Sequence, residues 1–340
     1  MIRLSICIAT RNRAEYLIDT IKCLLEQLND GIEIVIVDGA STDNSKSLVD
    51  ALCIPEGKLR YFFEDENSGV DGDFDKTVKY ALGQYCWLFS DDDILAPGAL
   101  EIVKQALNCE PDVLIVNSSV HSINFGCLLS ERILELDDNK IYENDSEIAF
   151  LDLGSYLSFI GAIVVRRDFW LSRERLEYHG SAFAHLGVIF QYPLPSKIKV
   201  LSAPLIKIRY GNSEWAQRGF DIWSKQWPRI VESLDHLPLA YRQRVAGSGP
   251  LKTIKFCLLY RALGLYDLDR YKMSIIGSYP LSLTLILGAI ALISQKFINS
   301  LYTLLVLGKK MTLINVYRLS KSPAASWFSV WIAKKLKITD

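Results

Sequence analysis

The sequence predicts an α/β fold, a mostly parallel sheet with helices on both faces, followed by a helical region of different character. The first observation is that short apolar runs alternate with segments of helical spacing over the first 120 residues. The second is that these runs end in polar or acidic residues, as strands do at the ligand-binding edge of an open α/β sheet. The third is a change near residue 211, after which basic and aromatic residues become frequent and acidic ones rare.

Five buried strands and the helices between them follow from hydrophobic periodicity. Apolar runs without helical spacing predict strands at 4–9, 32–37, 59–63, 85–89 and 112–117. Apolar residues at helical spacing predict helices over 13–28, 45–52 and 78–82, and Pro97-Gly98 precedes a further one. Since strands alternate with helices in this order, we expect crossover connections between strands that run mostly parallel.

Length and composition indicate two folded domains. The 340 residues are 50% hydrophobic and 11% aromatic, which is too apolar for a disordered chain. The net charge of −1 conceals a division: residues 1–200 carry 18 Lys/Arg against 32 Asp/Glu, whereas residues 201–340 carry 20 against 7. We therefore expect one domain over 1–210, with an acidic binding edge, and a helical region over 211–340.

The C-terminal region has the composition of a membrane-associated segment. Residues 275–293 are almost uncharged and 297–307 form a second apolar run, although Pro280 argues for a broken or re-entrant helix. Residues 326–338 place tryptophans beside lysines, which is typical of an interfacial helix. We expect apolar membrane-associating segments at about 275–307 and a basic amphipathic tail. The alternative is an ordinary helical subdomain with an apolar core.

The same features predict partners and location. The basic half lacks zinc-finger spacing, an RNP-like stretch or a base-reading basic helix, so that an anionic membrane surface is favoured over nucleic acid. No signal peptide is expected, because Arg11 and Arg13 follow only a handful of apolar residues. We therefore expect the protein at the cytoplasmic face of the inner (plasma) membrane, peripheral or monotopic. Paired apolar tails would make a homodimer unsurprising.

Three consecutive carboxylates provide the sharpest chemical signal. Asp91, Asp92 and Asp93 follow an apolar strand, and their charges repel one another unless a cation neutralises them. Hard oxygen ligands of this kind predict Mg²⁺ or Mn²⁺, shared with substrate phosphates. The alternative is a solvated acidic loop that caps the next helix, although a cap needs a single carboxylate.

Three further loops carry polar side chains at the ends of predicted strands. Asp38 can accept hydrogen bonds from a base or a sugar hydroxyl, and its loop can also cap a helix. Residues 10–13 offer hydrogen-bond donors and the guanidinium groups of Arg11 and Arg13 to a diphosphate. Residues 67–73 form an acidic, glycine-bearing loop, for which a plain turn is the alternative.

Three motifs resemble the family 2 glycosyltransferases of the GT-A fold. They are, in order, Ser5-Ile-Cys-Ile-Ala-Thr-Arg-Asn-Arg13, Glu33-Ile-Val-Ile-Val-Asp-Gly-Ala-Ser-Thr-Asp43 and Trp87-Leu-Phe-Ser-Asp-Asp-Asp-Ile-Leu-Ala-Pro-Gly98. The resemblance covers roughly residues 1–200 and implies a nucleotide-sugar-binding catalytic domain over 1–210. Residues 182–187 and 213–223 look like the abequosyltransferase-type branch, whose members add a dideoxyhexose to a lipid-linked O-antigen unit.

The resemblance implies a role for each polar residue at the predicted edge. Nucleotide and donor binding would fall to Thr10, Arg11, Arg13, Asp38, Asp71, Asp73 and Asp91. Of these, Asp38 would contact the nucleobase, and Asp71 and Asp73 would lie near the ribose and diphosphate. Asp91, Asp92 and Asp93 would hold the metal, and Asp93 is also assigned to catalysis. Ser90 replaces the first carboxylate of the family's usual Asp-x-Asp-Asp pattern.

The catalytic base departs from the family pattern. Where the family usually provides an acidic pair, this sequence has Ala184-His185-Leu186. His185 is the candidate base, because an unperturbed imidazole titrates near neutral pH. Two alternatives stay open: a buried, hydrogen-bonded histidine, or a reaction that retains configuration and uses no base.

The resulting hypothesis is a metal-dependent glycosyltransferase. It moves a sugar, in the narrower resemblance a 3,6-dideoxyhexose such as abequose, from a nucleotide-diphosphate donor to a polyprenyl-diphosphate-linked glycan in O-antigen (lipopolysaccharide) or surface polysaccharide synthesis. The competing hypothesis, motivated by Ser90 and the missing acidic pair, is a catalytically decayed, membrane-associated module that binds a nucleotide sugar. A nucleotidyltransferase is disfavoured because the sequence has no glycine- and lysine-rich phosphate loop near the first strand.

Overall fold

The structure, a computed structural model, describes residues 2–212, 215–309 and 312–339. These residues form two compact units that alternate along the chain. The first unit contains 2–119, 132–208 and 226–246. The second contains the described residues of 120–131, 209–225 and 247–339.

Ten strands are found among the described residues. They are β1 (Leu4–Thr10), β2 (Ile32–Asp38), β3 (Leu59–Phe63), β4 (Tyr85–Phe89), β5 (Ile94–Leu95), β6 (Val113–His121), β7 (Leu128–Ser130), β8 (Lys140–Glu143), β9 (Ile163–Arg166) and β10 (Lys197–Arg209). All five strands predicted from periodicity are present, and the predicted bounds 59–63 and 85–89 are confirmed.

The α-helices first alternate with the strands and then follow one another. They are α1 (Ala14–Leu25), α2 (Ser45–Asp50), α3 (Gly69–Tyr80), α4 (Ala99–Ala106), α5 (Ser146–Leu153), α6 (Arg167–Leu171), α7 (Ala184–Phe190), α8 (Trp215–Asp221), α9 (Trp227–Ser233), α10 (Leu239–Ala246), α11 (Pro250–Ala262), α12 (Leu268–Ser274), α13 (Leu281–Leu292), α14 (Gln295–Val306), α15 (Thr312–Lys321) and α16 (Trp327–Lys335).

The main sheet has the strand order β3-β2-β1-β4-β9-β6-β10-β5. β1 pairs in parallel with β2 and β4, and β2 pairs in parallel with β3. β9 then pairs antiparallel with β4 and β6. Strands of a parallel sheet are buried on both faces, which explains why β1, β2 and β4 are nearly continuous apolar runs. The predicted α/β class is confirmed, and the parallel strands are the ones that position the polar motifs.

Helix α3 is longer than the sequence predicted. Helical spacing of apolar residues indicated a helix only at 78–82, whereas α3 begins at Gly69. Its buried face includes the polar side chains of Asp71, Asp73 and Asp75. The hydrophobic period is therefore interrupted in the first two turns, and periodicity detected only the end of the helix. Because α3 packs against β1 and β2, it brings these carboxylates close to the sheet.

The division into units differs from the predicted boundary at residue 210. The first unit is interrupted after residue 208, close to that position, but it also includes residues 226–246. Trp227 at the start of α9 explains this, because its ring packs edge-on against Phe183 with centroids 4.9 Å apart. Its indole N–H donates to the carbonyl oxygen of Val245 at 3.2 Å. A buried indole needs both an apolar partner and an acceptor, and residues of the first unit supply them.

The helices of the second unit have a small apolar core of their own. Phe220, Tyr266 and Cys257 are buried there, and the rings of Phe220 and Tyr266 stack with centroids 5.3 Å apart. In the described part of the chain no single helix is long and apolar enough to cross a membrane. Only the combined length and composition of α13 and α14 reach that range, and this pair is bent by 104°. Arg261 holds the bend, since it donates to the carbonyl oxygens of Ile293 (2.7 Å) and Tyr266 (2.8 Å).

Candidate functional site at the carboxyl edge of the parallel strands

The carboxyl ends of β2, β1 and β4 bring the predicted site residues together. Thr10, the last residue of β1, lies opposite Asp38, the last residue of β2, in the parallel register. Ile8 lies opposite Phe89 at the end of β4, so that Asp91 follows two residues beyond the sheet. Because the three strands are neighbours, side chains from three separate motifs converge at one edge.

The Asp91 carboxylate is held by donors from the loop that follows β1. The Thr10 hydroxyl donates to Asp91 Oδ2 at 2.7 Å, and Arg13 Nε donates to Asp91 Oδ1 at 2.9 Å. Arg13 also forms an ion pair with Asp92. Burial, together with the charge of Asp92, raises the pKa of Asp91 to about 7, while Arg13 and Thr10 oppose this shift. The motif is therefore a pair of repelling carboxylates compensated by one guanidinium group.

The acidic motif places two carboxylates beside one guanidinium group. Within the described part of the chain, no group of three or more His, Cys, Asp or Glu side chains is placed to hold a metal ion. Asp91 and Asp92 converge on the Arg13 guanidinium, and Thr20 fixes the backbone by donating to the carbonyl oxygens of Asp91 and Asp93. Mg²⁺ commonly takes one or two carboxylates and completes its shell with phosphate oxygens and water, so this donor pair fits it.

Asp38 is fully buried, and two donors align its carboxylate. The Tyr61 hydroxyl donates to Oδ2, and the backbone N–H of Ser41 donates to Oδ1 at 2.7 Å. Burial and the neighbouring carboxylate raise the pKa of Tyr61, so that the phenol stays a donor at neutral pH. The loop after Asp38 is also tied to the loop after β1, because Thr42 N–H donates to Asn12 Oδ1 (2.7 Å) and Asn12 N–H donates to Ser41 Oγ (2.8 Å).

Asp73 lies against the loop that follows Asp38. The two segments approach most closely at Gly39, where a Cβ atom would lie 2.4 Å from Asp73 Oδ2 and 3.3 Å from Asn67 Oδ1. The Ser68 hydroxyl donates to Asp73 Oδ1 at 2.5 Å. Burial raises the pKa of Asp73, and the hydrogen bond from Ser68 opposes this shift. Only a residue without a side chain fits between the loop and this carboxylate.

Asp71 supports the segment before α7. Its carboxylate accepts hydrogen bonds from the backbone N–H groups of Ala182 (2.9 Å) and Ala184 (3.2 Å). Ala182 has a φ of 64°, in the left-handed region that side chains disfavour. Burial raises the pKa of Asp71, and these N–H groups oppose the shift. Asp71 therefore joins α3 to the segment that carries His185.

His185 lies in the core of the first unit. Its side chain is buried, its Nε2 lies 2.7 Å from the carbonyl oxygen of Leu157, and its ring faces Phe183 edge-on at 6.3 Å. Burial lowers the pKa of His185 to about 4. Its Nδ1 finds no hydrogen-bond partner among the described residues. Of the alternatives that the sequence left open, this geometry favours a buried, hydrogen-bonded histidine, and the role of His185 as general base stays a prediction.

Sequence reasoning missed three residues at this edge. Tyr61 and Thr20 supply hydroxyl donors to Asp38 and to the acidic motif. A signal existed for Tyr61, since it is a hydroxyl-bearing residue in a strand next to the one that ends at Asp38. His179 lies beside the first turn of α3, with its Nδ1 3.9 Å from the position of a Cβ on Gly72. No pattern in the sequence marked His179.

The structure describes Arg11 but only part of the stretch 213–223. Arg11 is exposed in the loop after β1, next to the buried Thr10. Of the stretch 213–223, which carries the narrower resemblance, Ser213 and Glu214 lie outside the described residues, and so does the side chain of Trp215. The edge built from β1, β2 and β4 is therefore the part of the site that the geometry defines.

All three motifs at the sheet edge lie within the region of the chain that matches one sequence family. Residues 5–140 match the profile described as Glycosyl transferase family 2. Residues 5–140 therefore carry the sequence pattern of glycosyl transferase family 2. The resemblance inferred from the three motifs is thereby confirmed, and the chain is a glycosyltransferase.

Three curated relatives of this chain are named for sugar transfer. The chain is 29% identical over 235 residues to Abequosyltransferase RfbV of Salmonella typhimurium, which covers 64% of this chain and 69% of that protein. It is 28% identical to Glycosyltransferase GlyG of Streptococcus pneumoniae, over 34% of this chain and 38% of that protein. It is 31% identical to the GalNAc(5)-diNAcBac-PP-undecaprenol beta-1,3-glucosyltransferase of Campylobacter jejuni, over 32% and 35% respectively. The chain thus spans little more than a third of the last two proteins.

Solved structures share the fold of this chain. The crystal structure of S. aureus TarS 1–349 in complex with UDP-GlcNAc superposes with a TM-score of 0.58 at 14% sequence identity, covering 93% of this chain and 90% of that chain. A second structure of S. aureus TarS 1–349 gives 0.56 at 15% identity. The predicted GT-A type α/β fold is confirmed by these likenesses, which at this identity concern the fold alone.

Proposed function

We propose that this family 2 glycosyltransferase transfers a sugar from a nucleotide-diphosphate donor to a polyprenyl-diphosphate-linked glycan in the synthesis of O-antigen or another surface polysaccharide. The observation that carries the proposal is the convergence of Thr10, Arg13, Asp38 and Asp91 at the carboxyl ends of three parallel strands. The names of two relatives support it, one an abequosyltransferase and the other named for a PP-undecaprenol-linked glycan. A 3,6-dideoxyhexose such as abequose is therefore the first sugar to test.

The donor nucleotide would lie along the loops after β1 and β2. The Asp38 carboxylate, aligned by Tyr61, accepts a hydrogen bond from the nucleobase or ribose in this proposal. Asp73 lies next to the same loop and is proposed to bind a ribose hydroxyl. Arg11 and Arg13 supply positive charge to the diphosphate, for which planar guanidinium groups are well suited.

The acidic motif would hold Mg²⁺ or Mn²⁺ together with the donor diphosphate. Asp91 and Asp92 are the proposed ligands, with Asp93 beside them in sequence. When bound, such a cation neutralises the charge that develops on the leaving nucleotide diphosphate. Arg13, which pairs with both carboxylates in the structure, would then turn its guanidinium group to a phosphate oxygen. Added positive charge would also oppose the burial and the repulsion by Asp92 that together raise the pKa of Asp91.

The acceptor is proposed to meet the donor near the segment that Asp71 holds before α7. His185 at the start of α7 would orient the acceptor or remove its proton, or no base would be needed if configuration is retained. A lipid-linked acceptor requires a membrane surface, which we place at the cytoplasmic face of the inner membrane. The excess of Lys and Arg after residue 201 supports this placement, because that surface is anionic.

Donor binding provides the direct test. Thermal unfolding is measured with UDP-, GDP-, CDP- and dTDP-linked sugars, each with and without Mn²⁺. We expect one nucleotide class to raise Tm in the presence of the metal, because a ligand that binds the native state stabilises it by about 2.7 kcal/mol at a concentration of about one hundred times Kd. A shift that is equal with and without Mn²⁺ would contradict the metal role, and no shift with any donor would contradict the nucleotide-sugar proposal.

An Asp92→Asn variant tests the acidic motif itself. We expect sugar transfer to a lipid-linked acceptor to fall by about a hundredfold or more, because the variant removes one charged ligand of the proposed cation. Asp50→Asn is the matched control, since Asp50 is exposed and pairs with Lys46 far along the chain from the motif. Full activity in Asp92→Asn would refute the metal site. Donor binding without transfer in the unmodified chain would instead support the decayed binding module.

A further inference from the structure

The second unit exposes an unusually apolar helix face on α13. Its exposed positions recur at helical spacing along one side of the helix: Leu281, Ser282, Leu285, Ile286, Ala289, Leu292 and Ile293. The opposite side, which includes Leu283 and Leu287, is buried in the core of the second unit. A surface helix of a water-exposed protein places polar residues on its outer side, and α13 does the reverse. Its outer side therefore has the chemistry of a buried face.

Helix α14 continues the same pattern and adds charge at its two ends. Four large apolar side chains are exposed along one side: Phe297, Leu301, Leu304 and Leu305. Exposed lysines lie at either end of this side, Lys296 in the first turn and Lys309 beyond the last. The inner side is fixed by Asn299, which donates to the carbonyl oxygens of Ala262 (2.9 Å) and Leu319 (3.1 Å). The exposed side is thus held in place and bordered by cations.

Helix α16 exposes tryptophans beside lysines. Trp327 is 78% exposed and its ring stacks on that of Trp331 at 6.0 Å, with 15° between the planes. Lys335 lies over the Trp331 ring at 5.7 Å. Rings that are apolar in the body and polar at one edge, next to cations, are enriched where a protein meets the headgroup region of a bilayer.

Charge complementarity identifies the surface that these helices fit. Residues 247–340 contain 13 Lys/Arg but only 3 Asp/Glu. A second copy of the chain would present the same excess of positive charge, and the like charges would repel. An anionic lipid surface attracts each such cation and also takes up the apolar side chains between them. A bilayer therefore satisfies both components of the surface.

The lengths of the helices decide how they meet a bilayer. α13 and α14 have 12 residues each, which corresponds to about 18 Å per helix, short of the roughly 30 Å of hydrocarbon. The bend of 104° between them prevents their lengths from adding along one axis. A pair of this shape lies within one boundary of the bilayer.

We propose that the exposed sides of α13, α14 and α16 form a monotopic docking surface for an anionic lipid bilayer. The apolar side chains enter the headgroup and acyl boundary, and the lysines remain at the phosphates. This proposal rests on the proposed function, since it assigns the means by which the enzyme reaches a lipid-linked acceptor. We refer to these sides of α13, α14 and α16 as the docking surface.

Vesicle flotation of the full chain tests the docking surface. Vesicles of phosphatidylcholine with and without phosphatidylglycerol are compared at low and high salt. We expect binding to the anionic vesicles, weakened by salt because the lysine contribution is screened. The pair of substitutions Leu285→Glu and Leu304→Glu should reduce the bound fraction about tenfold or more, because both leucines are more than half exposed, at 63% and 58%.

A charge-matched control separates this surface from general effects of added acid. Leu176→Glu and Leu239→Glu together alter equally exposed leucines of the first unit, at 71% and 60%. The control pair should bind vesicles as the unmodified chain does. All variants should keep the donor-induced rise in Tm measured without vesicles, so that failure of donor binding is distinguishable from failure of docking.

Three results would overturn the proposal. The first is that the unmodified chain does not float with anionic vesicles. The second is that the docking-surface pair and the control pair lose binding equally. The third is a dimer of the unmodified chain, measured by light scattering without lipid, that the docking-surface pair alone converts to a monomer. That outcome would make these helices an interface between two copies.

Discussion

At the scale of single residues, the site depends on how each buried carboxylate is compensated. A carboxylate removed from water needs donors that replace its lost hydration. Asp38 receives the Tyr61 hydroxyl, Asp71 receives two backbone N–H groups, and Asp91 receives the Arg13 guanidinium. Neutral donors leave the negative charge on Asp38 and Asp71 in place, whereas Arg13 cancels that of Asp91. At this edge Asp38 and Asp71 are thus held by neutral hydrogen-bond donors, and Asp91 is held by an ion pair.

His185 makes a residue-scale prediction about pH. Its pKa is lowered from 6.5 to about 4, so between these values the unfolded chain binds a proton that the native state does not. Stability from this group is fully present above pH 6.5 and decreases as the pH falls towards 4, by about 3 kcal/mol in total. In His185→Gln, whose amide can still donate to the Leu157 carbonyl, the free energy of unfolding by urea should lose this dependence on pH.

The same variant separates the two roles of His185. If it is a core residue, transfer by His185→Gln at neutral pH should stay within a few-fold of the unmodified chain. A loss of about a hundredfold, with unchanged free energy of unfolding and an unchanged pH dependence of stability, would contradict the core role and assign the proton transfer to this imidazole.

At the scale of elements, hydrophobic periodicity predicted the strands well and the helix α3 poorly. β1, β2 and β4 are buried on both faces, so that their sequences are unbroken apolar runs that stand out. The first turns of α3 carry Asp71, Asp73 and Asp75 on the buried side, where helical periodicity expects apolar residues. Hydrophobic periodicity thus fails in α3 where buried carboxylates replace apolar residues.

Which carboxylates converge could be predicted, but which donors hold them could not. Thr10, Asp38 and Asp91 were found because strand ends of a parallel sheet share an edge. The contacts of Asp71 with the segment before α7 join residues more than 100 positions apart, and no local pattern encodes such a pairing. Tyr61 lies between these cases, since its strand was predicted but its direction towards Asp38 depends on the register.

Gly39 tests the contact between two elements, the loop after β2 and helix α3. Gly39→Ala should lower the free energy of unfolding by about 1–3 kcal/mol, because the new Cβ would lie 2.4 Å from Asp73 Oδ2. Adding Asp73→Ala removes that clash, so the double variant should be less destabilised than the sum of the two single ones. Urea unfolding of the four proteins measures the coupling. Additive effects would show that the loop and Asp73 do not meet as described.

At the scale of the whole molecule, the chain alternates between two units of opposite composition. Acidic residues are concentrated before residue 200, and basic ones after it. A boundary drawn from composition alone fell at 210, yet residues 226–246 belong to the first unit. Composition is an average over a segment and contains no information on contacts. Trp227 joins residues 226–246 to the first unit because it contacts Phe183, and its indole N–H donates to the Val245 carbonyl oxygen.

Trp227→Ala tests this assignment. We expect Tm to decrease strongly, with a loss of about 3–5 kcal/mol, because the buried indole leaves a cavity next to Phe183 and frees the Val245 carbonyl. Trp327→Ala is the control, since Trp327 is largely exposed and its removal should change stability by less than about 0.5 kcal/mol. Equal losses from the two substitutions would contradict the packing of residues 226–246 within the first unit.

The bend between α13 and α14 has a consequence for topology. Arg261 donates to the Ile293 carbonyl oxygen between the two helices and also to that of Tyr266, so straightening the pair would leave the buried Arg261 Nε without the Ile293 acceptor. A pair that keeps its bend of 104° would enter and leave a lipid boundary from the same side. If the docking surface binds a bilayer as proposed, the residues before α13 and those after α14 share one aqueous compartment, with which the proposed donor nucleotide would be exchanged.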